Sequence, residues 1–274
     1  MNPLASLPMY ALPEMAAANA ALWEALRAAL AAEMDESMPL PAHLSPVGLS
    51  LPAVIDPTTL FSQMCGYPLQ TLYRGQYRLL GTPLYDLPGC RLGDDGVPRH
   101  CSFLIVASAA SVSALEELRG ARFAMNGGDS NSGMNLPRRL FAPLARDGRF
   151  FSDVRVSGSH MRSMEMVAAG QADTAAIDCV TFGYAARYRP QLAAGLRVLA
   201  ETPDAPAIPF ITAAATPDET AARITHLLTT PPPALRDALA TLAIQSITPP
   251  LPAAYEAVTR YEAEAAALGY PALC

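Results

Sequence analysis

The sequence predicts an α/β protein built from two lobes, and two observations support this prediction. Short apolar segments with strand character alternate with amphipathic segments along most of the chain, a pattern typical of α/β folds. Between residues 106 and 205 the alternation is regular enough to form a lobe of its own. The flanking residues, 1–105 and 206–274, must then form the other lobe together, with the chain crossing twice between the lobes.

Before residue 108 the pattern predicts strands at 4–9, 76–80 and 101–107, an extended segment at 43–51, and helices at 13–34 and 58–63. Pro13 suits the first turn of a helix, where its missing N–H costs nothing. Asp56-Pro57 opens the short helix. The loop at 82–100 is rich in Pro and Gly, which favour turns.

After residue 108 the pattern predicts strands at 121–125, 153–157, 174–177, 196–200 and 208–213, and helices at 113–119, 133–145, 160–169, 182–188, 218–228, 234–245 and 252–268. Pro231-Pro232-Pro233 and Pro249-Pro250 separate the last three helices, because proline cannot continue a helix.

Composition excludes several classes of protein. The net charge is −6 and no basic stripe is visible, which argues against nucleic-acid binding. All 19 basic residues are Arg and none is Lys, so neither a Schiff-base lysine nor a P-loop lysine is available. None of the five cysteines forms a C-x-x-C pair, which argues against a zinc or iron–sulfur site. We expect no metal site and no cofactor. A disulfide between Cys90 and Cys101 is possible but not indicated.

The start of the chain bears on location. Residues 1–10 lack a basic region and a long apolar region, so they do not form a signal peptide. The predicted helix at 13–34 carries Glu14, Glu24, Arg27 and Glu33, which indicates an amphipathic helix and no membrane span. We expect either a cytoplasmic protein or a periplasmic one whose leader was removed.

Two polar turns, each between a predicted strand and a helix, are the most informative features. The first is Asn126-Gly127-Gly128-Asp129-Ser130-Asn131-Ser132-Gly133, and the second is Ser157-Gly158-Ser159-His160. Such turns present backbone N–H groups and the positive end of a helix dipole to an anion. The carboxyl ends of strands are also where ligands bind in open α/β sheets.

These residues also have purely structural interpretations. The turn at 130–133 could be a helix N-cap, although a cap and an anion site use the same N–H groups. His160 could cap its helix, and Asp178 could cap the helix that begins near Thr181. Tyr10 and Tyr67 could be core residues, and Cys65 a small buried apolar residue.

The chain resembles the phosphate/phosphonate solute-binding proteins of ABC transporters, the PhnD-like family with the type 2 periplasmic-binding fold. The resemblance covers about residues 4 to 215. It rests on Leu7-Pro8-Met9-Tyr10, Gln63-Met64-Cys65-Gly66-Tyr67-Pro68-Leu69, Asp129-Ser130-Asn131-Ser132-Gly133, Ser157-Gly158-Ser159-His160, Ala175-Ala176-Ile177-Asp178 and Pro209-Phe210-Ile211-Thr212.

The resemblance implies two α/β lobes joined by two crossover strands, with a ligand held between them. It places a phosphonate-like anion on the turn formed by Ser130, Asn131, Ser132 and Gly133, at a helix N-terminus. His160 from the second lobe adds a hydrogen bond, and Asp178 faces an amine of the ligand.

From the first lobe, the resemblance implies that Tyr10 or Tyr67 adds a hydrogen bond to the ligand. The loop Cys65-Gly66-Tyr67 is expected to close over the ligand, since Gly66 lets the backbone approach.

We therefore expect a protein that binds a small anionic or zwitterionic ligand without chemistry and serves an ABC permease. The alternatives are a cytoplasmic enzyme on the same fold, using His160 and Asp178 or Cys65, and a ligand sensor.

Overall fold

The computed structural model describes residues 2–33, 39–46 and 55–274. The chain divides into two compact units. The first unit contains Met1–Asp86, Arg91–Pro98 and Pro206–Ala254, and the second contains Leu87–Cys90, Arg99–Ala205 and Tyr255–Cys274.

Within the described residues the strands are β1 (Leu4–Ala5), β2 (Thr59–Gln63), β3 (Tyr77–Tyr85), β4 (Cys90–Leu92), β5 (Pro98–His100), β6 (Ser102–Ala107), β7 (Arg122–Met125), β8 (Asp153–Val156), β9 (Thr174–Asp178), β10 (Leu196–Glu201), β11 (Ala205–Pro206), β12 (Phe210–Ala213) and β13 (Ile244–Thr248). The helices are α1 (Ala16–Glu33), α2 (Gly66–Thr71), α3 (Leu136–Phe141), α4 (His160–Ala168), α5 (Cys179–Tyr188), α6 (Pro190–Ala194), α7 (Asp218–Thr229), α8 (Pro233–Thr241) and α9 (Glu256–Ala267). Short 3₁₀ turns cover Pro13–Met15, Leu115–Leu118, Ala142–Leu144 and Pro252–Tyr255, and a π-helical segment covers Asn131–Asn135.

The first unit is built on a five-stranded sheet with the order β1-β2-β12-β3-β13. β1 and β2 are parallel, whereas β12 pairs antiparallel with both β2 and β3. Phe61 of β2 stacks on Trp23 of α1 at 5.9 Å between ring centroids and on Phe210 of β12 at 5.1 Å. These buried rings join α1 to one face of the sheet, since aromatic contacts add to the free energy of burial.

The second unit is built on another five-stranded sheet, with the order β10-β6-β9-β7-β8. β7 is parallel to both of its neighbours, β8 and β9, and β6 is antiparallel to β9 and β10. The carboxyl ends of β7, β8 and β9 therefore lie at one edge of this sheet. Phe123, Phe141, Phe150 and Phe151 pack with ring centroids 4.6 to 5.0 Å apart in the core of this unit.

Residues 255–274 belong to the second unit, although the sequence placed them with 206–254 in the first lobe. Ala265, Tyr270 and Leu273 join the aromatic core of the second unit. The carbonyl of Cys274 accepts hydrogen bonds from the backbone N–H groups of Phe150 at 2.7 Å and Phe151 at 3.0 Å. Apolar burial and backbone pairing together hold this segment in the second unit. The chain changes unit between Ala205 and Pro206, and the second unit already includes Arg99 and the segment Leu87–Cys90, ahead of the expected start at residue 106.

Two segments predicted as helical form a strand, one in nearly its whole length and the other at its end. The sequence predicts a helix at 58–63, but Thr59–Gln63 is a strand buried between β1 and β12. The helix predicted at 234–245 ends at Thr241, and Ile244–Thr248 pairs with β3. In both places sheet pairing and burial override local helix preference. Residues 43–46 form no strand, and the remainder of the segment predicted as extended, 47–51, lies outside the described residues.

In the part of the chain that the structure describes, no helix combines the length and the apolar character that a membrane span requires.

Candidate functional site

The candidate site lies at the carboxyl edge of the parallel strands in the second unit. Asn126 follows β7, the turn Ser157-Gly158-Ser159 follows β8, and Asp178 ends β9. The backbone N–H of Ser157 donates to the carbonyl of Met125 at 2.7 Å, which joins the ends of β7 and β8. Residues distant in sequence are thus brought to the same edge of one sheet.

The turn at 130–133 caps the π-helical segment that leads into α3. The hydroxyl of Ser130 accepts a hydrogen bond from the backbone N–H of Gly133 at 2.9 Å. The backbone N–H of Asn135 donates to the carbonyl of Ser130 at 3.0 Å, which closes one π-helical turn. Ser102 of β6 donates from its hydroxyl to the carbonyl of Ser132 at 2.8 Å and fixes the turn to the sheet. The cap interpretation is therefore correct for Ser130, whose own O–H proton stays available as a donor.

Asn131 supports the turn from inside the second unit. Its side-chain oxygen accepts from Nδ2 of Asn135 at 2.9 Å, and the same Nδ2 donates to the carbonyl of Val258 in α9 at 2.9 Å. Both Asn131 and Asn135 are buried. The Asn135 side chain therefore links Asn131 of the turn to the C-terminal segment.

Gly133 lies against the side chain of Asn126. A Cβ at position 133 would lie 1.8 Å from Oδ1 of Asn126 and 3.2 Å from Cε1 of His160. No side chain larger than hydrogen fits there without displacing these groups. Close approach, and not a left-handed backbone, is the reason for glycine at this position.

His160, the first residue of α4, makes the central contact of the site. Its Nε2 lies 2.8 Å from Oγ of Ser132 and 3.3 Å from Nδ2 of Asn126. An amide nitrogen can only donate, so Nε2 accepts and the neutral ring carries its proton on Nδ1. The hydroxyl of Ser132 then donates to Nε2. Oγ of Ser130 lies 3.4 Å from Oγ of Ser132, and the turn and His160 thus form one polar cluster.

The pKa of His160 is lowered to about 4, chiefly because burial disfavours the charged ring. The negative charge of Asp178 opposes this shift, the charge of His100 adds to it, and the carbonyl of Ala176 favours protonation. At neutral pH the ring is therefore uncharged. Bringing an anion to this cluster would favour the protonated ring.

Asp178 is buried and has several partners inside the second unit. Its Oδ1 accepts from the backbone N–H groups of Val180 at 2.9 Å and Thr181 at 3.1 Å, and caps α5. Its Oδ2 lies 2.9 Å from Nδ1 of His100, which is equally buried. Burial is the largest influence and would raise the pKa of Asp178, but His100, His160 and the N–H of Thr181 together lower it. Asp178 is thus an ionised helix cap, and its contact with a ligand amine stays a prediction.

The four predicted residues of the first unit lie at the carboxyl ends of two parallel strands. Tyr10 follows β1, and Cys65, Gly66 and Tyr67 follow β2. Tyr10 and Cys65 are buried, and the ring of Tyr10 packs edge-on against Tyr85 at 5.6 Å. Gly66 begins α2 and is buried, whereas Tyr67 is half-buried. Their contact with a ligand stays a prediction.

Two residues that contact predicted site residues, Asn126 and His100, were not themselves predicted. Asn126 stood at the start of the first polar turn, directly after a strand, and this position was a usable signal. No feature of the sequence pointed to His100, because only the pairing of β6 with β9 brings it to Asp178. Among the described residues no group of three or more His, Cys, Asp or Glu side chains could hold a metal ion.

Comparison with known sequences identifies a family. Residues 75–255 match the family described as the periplasmic substrate-binding protein of the phosphonate ABC transporter. This match covers both polar turns and most of the second unit. No curated protein matches the chain.

Solved structures share the fold. The binding-protein component of an ABC phosphonate transporter from Pseudomonas aeruginosa aligns with a TM-score of 0.71 and 15% identity over 98% of this chain and 88% of that one. XAC2383 from Xanthomonas citri, bound to ATP, aligns with a TM-score of 0.64 and 14% identity over 98% of each chain. PhnD1 from Prochlorococcus marinus, in complex with methylphosphonate, aligns with a TM-score of 0.55 and 14% identity over 74% of this chain and 77% of that one. These similarities confirm the predicted two-lobed α/β fold.

Proposed function

Because the chain belongs to the family of periplasmic substrate-binding proteins of phosphonate ABC transporters, we propose that it binds a small phosphonate-like anion at the turn formed by Ser130, Asn131, Ser132 and Gly133. Members of this family bind solutes, so the chain is a solute-binding protein and not an enzyme. The alternative of an enzyme using His160 and Asp178 or Cys65 is therefore wrong.

One observation carries the proposed site: the hydroxyl of Ser132 lies 2.8 Å from Nε2 of His160, on a turn capped by Ser130. The turn starts a helix, whose first N–H groups have no acceptor within the helix and favour an anion. The O–H of Ser130 and the second amide proton of Asn126 add donors. These groups converge on a small volume from two loops that follow neighbouring strands.

The charge of the site favours a ligand with one net negative charge or a zwitterion. The donors named above are neutral, His160 is uncharged near pH 7, and Asp178 is ionised nearby. A trianion would meet little positive charge, because neutral hydrogen bonds are weaker than charge-assisted ones. Methylphosphonate and 2-aminoethylphosphonate represent the two preferred classes of ligand.

Periplasmic location and delivery of the ligand to an ABC permease form the remainder of this proposal. They are supported by the description of the family, which is periplasmic and serves a transporter. PhnD1 from Prochlorococcus marinus was solved in complex with methylphosphonate, which supports the choice of the first probe.

Isothermal calorimetry of the full chain with inorganic phosphate, methylphosphonate, 2-aminoethylphosphonate and glycine tests the proposal. We expect at least one phosphonate to bind, and Ser132→Ala to weaken its binding roughly fivefold or more, because the substitution removes the hydrogen bond that holds the turn against His160. Ser152→Ala is the matched control, since Ser152 is an exposed serine of the same unit. No measurable binding by any of the four compounds contradicts the anion site.

A further inference from the structure

Three of the five cysteines meet in the second unit. Cys90 ends the segment Leu87–Cys90, Cys101 precedes β6, and Cys179 begins α5. Sγ of Cys90 lies 3.5 Å from Sγ of Cys179, and the thiol of Cys101 hydrogen-bonds to Cys179. All three are reduced thiols in this structure. The binding function described above makes no use of them.

Close backbone packing holds Cys90 near Cys179. A Cβ at Gly89 would lie 2.8 Å from Cβ of Cys179 and 3.0 Å from Sγ of Cys101. A Cβ at Gly183, one helical turn further along α5, would lie 3.1 Å from Leu87. The segment Leu87–Cys90 therefore lies directly against α5, with glycine at both points of contact.

We propose that Cys90 and Cys179 form a reversible disulfide that links the segment Leu87–Cys90 to the N-terminus of α5. The two sulfur atoms must approach from 3.5 Å to a bond length of about 2.05 Å. A periplasmic protein meets the oxidising conditions in which disulfides persist.

Exposure decides which thiol reacts first. Cys90 is half-buried, whereas Cys101 and Cys179 are fully buried. The hydrogen bond from Cys101 lowers the pKa of Cys179. Several influences raise it by more than this, among them the hydrogen bond to Cys90, burial and the charge of Asp178. The pKa of Cys179 is therefore raised overall. Because the thiolate is the nucleophile, Cys90 meets the oxidant and Cys179 resolves the intermediate.

The oxidant is a small-molecule disulfide such as glutathione disulfide. The thiolate of Cys90 attacks one sulfur of the oxidant, a mixed disulfide forms, and one glutathione thiolate leaves. Cys179 then loses its proton and attacks the sulfur of Cys90, and the second glutathione leaves. The two released thiolates take up the two cysteine protons. In total two cysteine thiols are oxidised by two electrons, and one glutathione disulfide is reduced to two glutathiones.

Peptide mapping of the full chain after treatment with glutathione disulfide tests the proposal. Trypsin cuts after Arg, and the three cysteines then fall on separate peptides, 79–91, 100–119 and 163–187. We expect mass spectrometry without reductant to find 79–91 linked to 163–187. Thiol titration of the denatured protein should fall by two thiols per chain. A link that involves 100–119, or a protein that keeps all its thiols, overturns the proposal.

Variants separate the disulfide from general oxidation. Cys90→Ser should abolish the link and the loss of two thiols, and Cys274→Ser should keep both. Oxidation should raise the Tm of the wild-type chain by roughly 5 °C or more, because the link closes a long loop. It should leave the Tm of Cys90→Ser unchanged. An equal rise of Tm in both proteins contradicts the proposed link. We choose Cys90→Ser because Cys90 is half-buried, whereas a substitution at the fully buried Cys179 risks a folding defect.

Discussion

The amide oxygen of Asn126 occupies the space that a side chain at position 133 would need, at 1.8 Å from an ideal Cβ. Asn126 in turn lies 3.3 Å from His160, and His160 lies 2.8 Å from Ser132. A larger residue at position 133 would therefore displace the donors of the site.

Gly133→Ala is expected to destabilise the chain by about 1–3 kcal/mol, the usual cost of overpacking, and to weaken methylphosphonate binding. The control is Gly128→Ala in the same turn, where an added Cβ meets no atom within 4 Å. Calorimetry and thermal unfolding of both variants measure the difference. Equal behaviour of the two variants would show that the contact between Gly133 and Asn126 does not shape the site.

The stability of the ligand-free chain should fall between pH 6.5 and about 4. The pKa of His160 is about 4 when folded and 6.5 in its ordinary state. Between pH 6.5 and about 4, His160 is protonated in the unfolded chain but uncharged in the folded chain. The loss of unfolding free energy should reach roughly 2–3 kcal/mol. Urea unfolding across this range measures it.

His160→Gln is the comparison for this pH dependence, because it removes the titrating ring. Asp178 and His100 face His160 and are present in both proteins. The pKa of Asp178 is lowered below 3.8, so its own contribution to stability is lost below this range. If the unfolding free energies of wild type and His160→Gln change with pH to the same extent, His160 is not the group that causes the loss of stability.

Asp178→Asn should weaken the binding of 2-aminoethylphosphonate more than that of methylphosphonate, so that the ratio of the two affinities changes by about fivefold or more. The substitution removes the charge that would face the amine and keeps an N-cap for α5. Asp173→Asn is the control, because Asp173 lies at the opposite end of the same strand. Equal weakening of both ligands by Asp178→Asn would assign Asp178 to the cap alone.

Tyr67→Phe should weaken ligand binding by about 1 kcal/mol, or about fivefold, if its hydroxyl donates to the ligand. Tyr77→Phe in the same unit is the control, since the hydroxyl of Tyr77 accepts from Gln70 at 2.9 Å. Calorimetry with methylphosphonate compares them. Unchanged affinity in a folded Tyr67→Phe protein would reject this contact.

Much of the second unit could be predicted because its strands and helices alternate with clear turn residues between them. Thr59–Gln63 could not, since its strand state depends on partners from other parts of the chain. The same holds for Ile244–Thr248, which pairs with β3. Local preference carries no information on such pairing.

The turn and His160 could be predicted because each follows a strand and carries residues that suit an anion. The partner of Asp178 could not be predicted. His100 lies 78 positions earlier in the chain and reaches Asp178 only through the register of β6 and β9, where Ser102 faces Asp178. Cys90 and Cys179 illustrate the same limit, since their distance depends on how one short segment packs on a helix.

The hydrogen bonds from Phe150 and Phe151 to Cys274 bear on the order in which the chain folds. The first unit has all its residues once Ala254 has been synthesised, whereas the second, begun at Leu87, still lacks α9. Its aromatic core stays open until Tyr270 and Leu273 leave the ribosome. Domains usually fold in the order of synthesis. Here the unit that carries the polar cluster is completed after the other, and the candidate binding turn therefore reaches its final environment later than the first unit does.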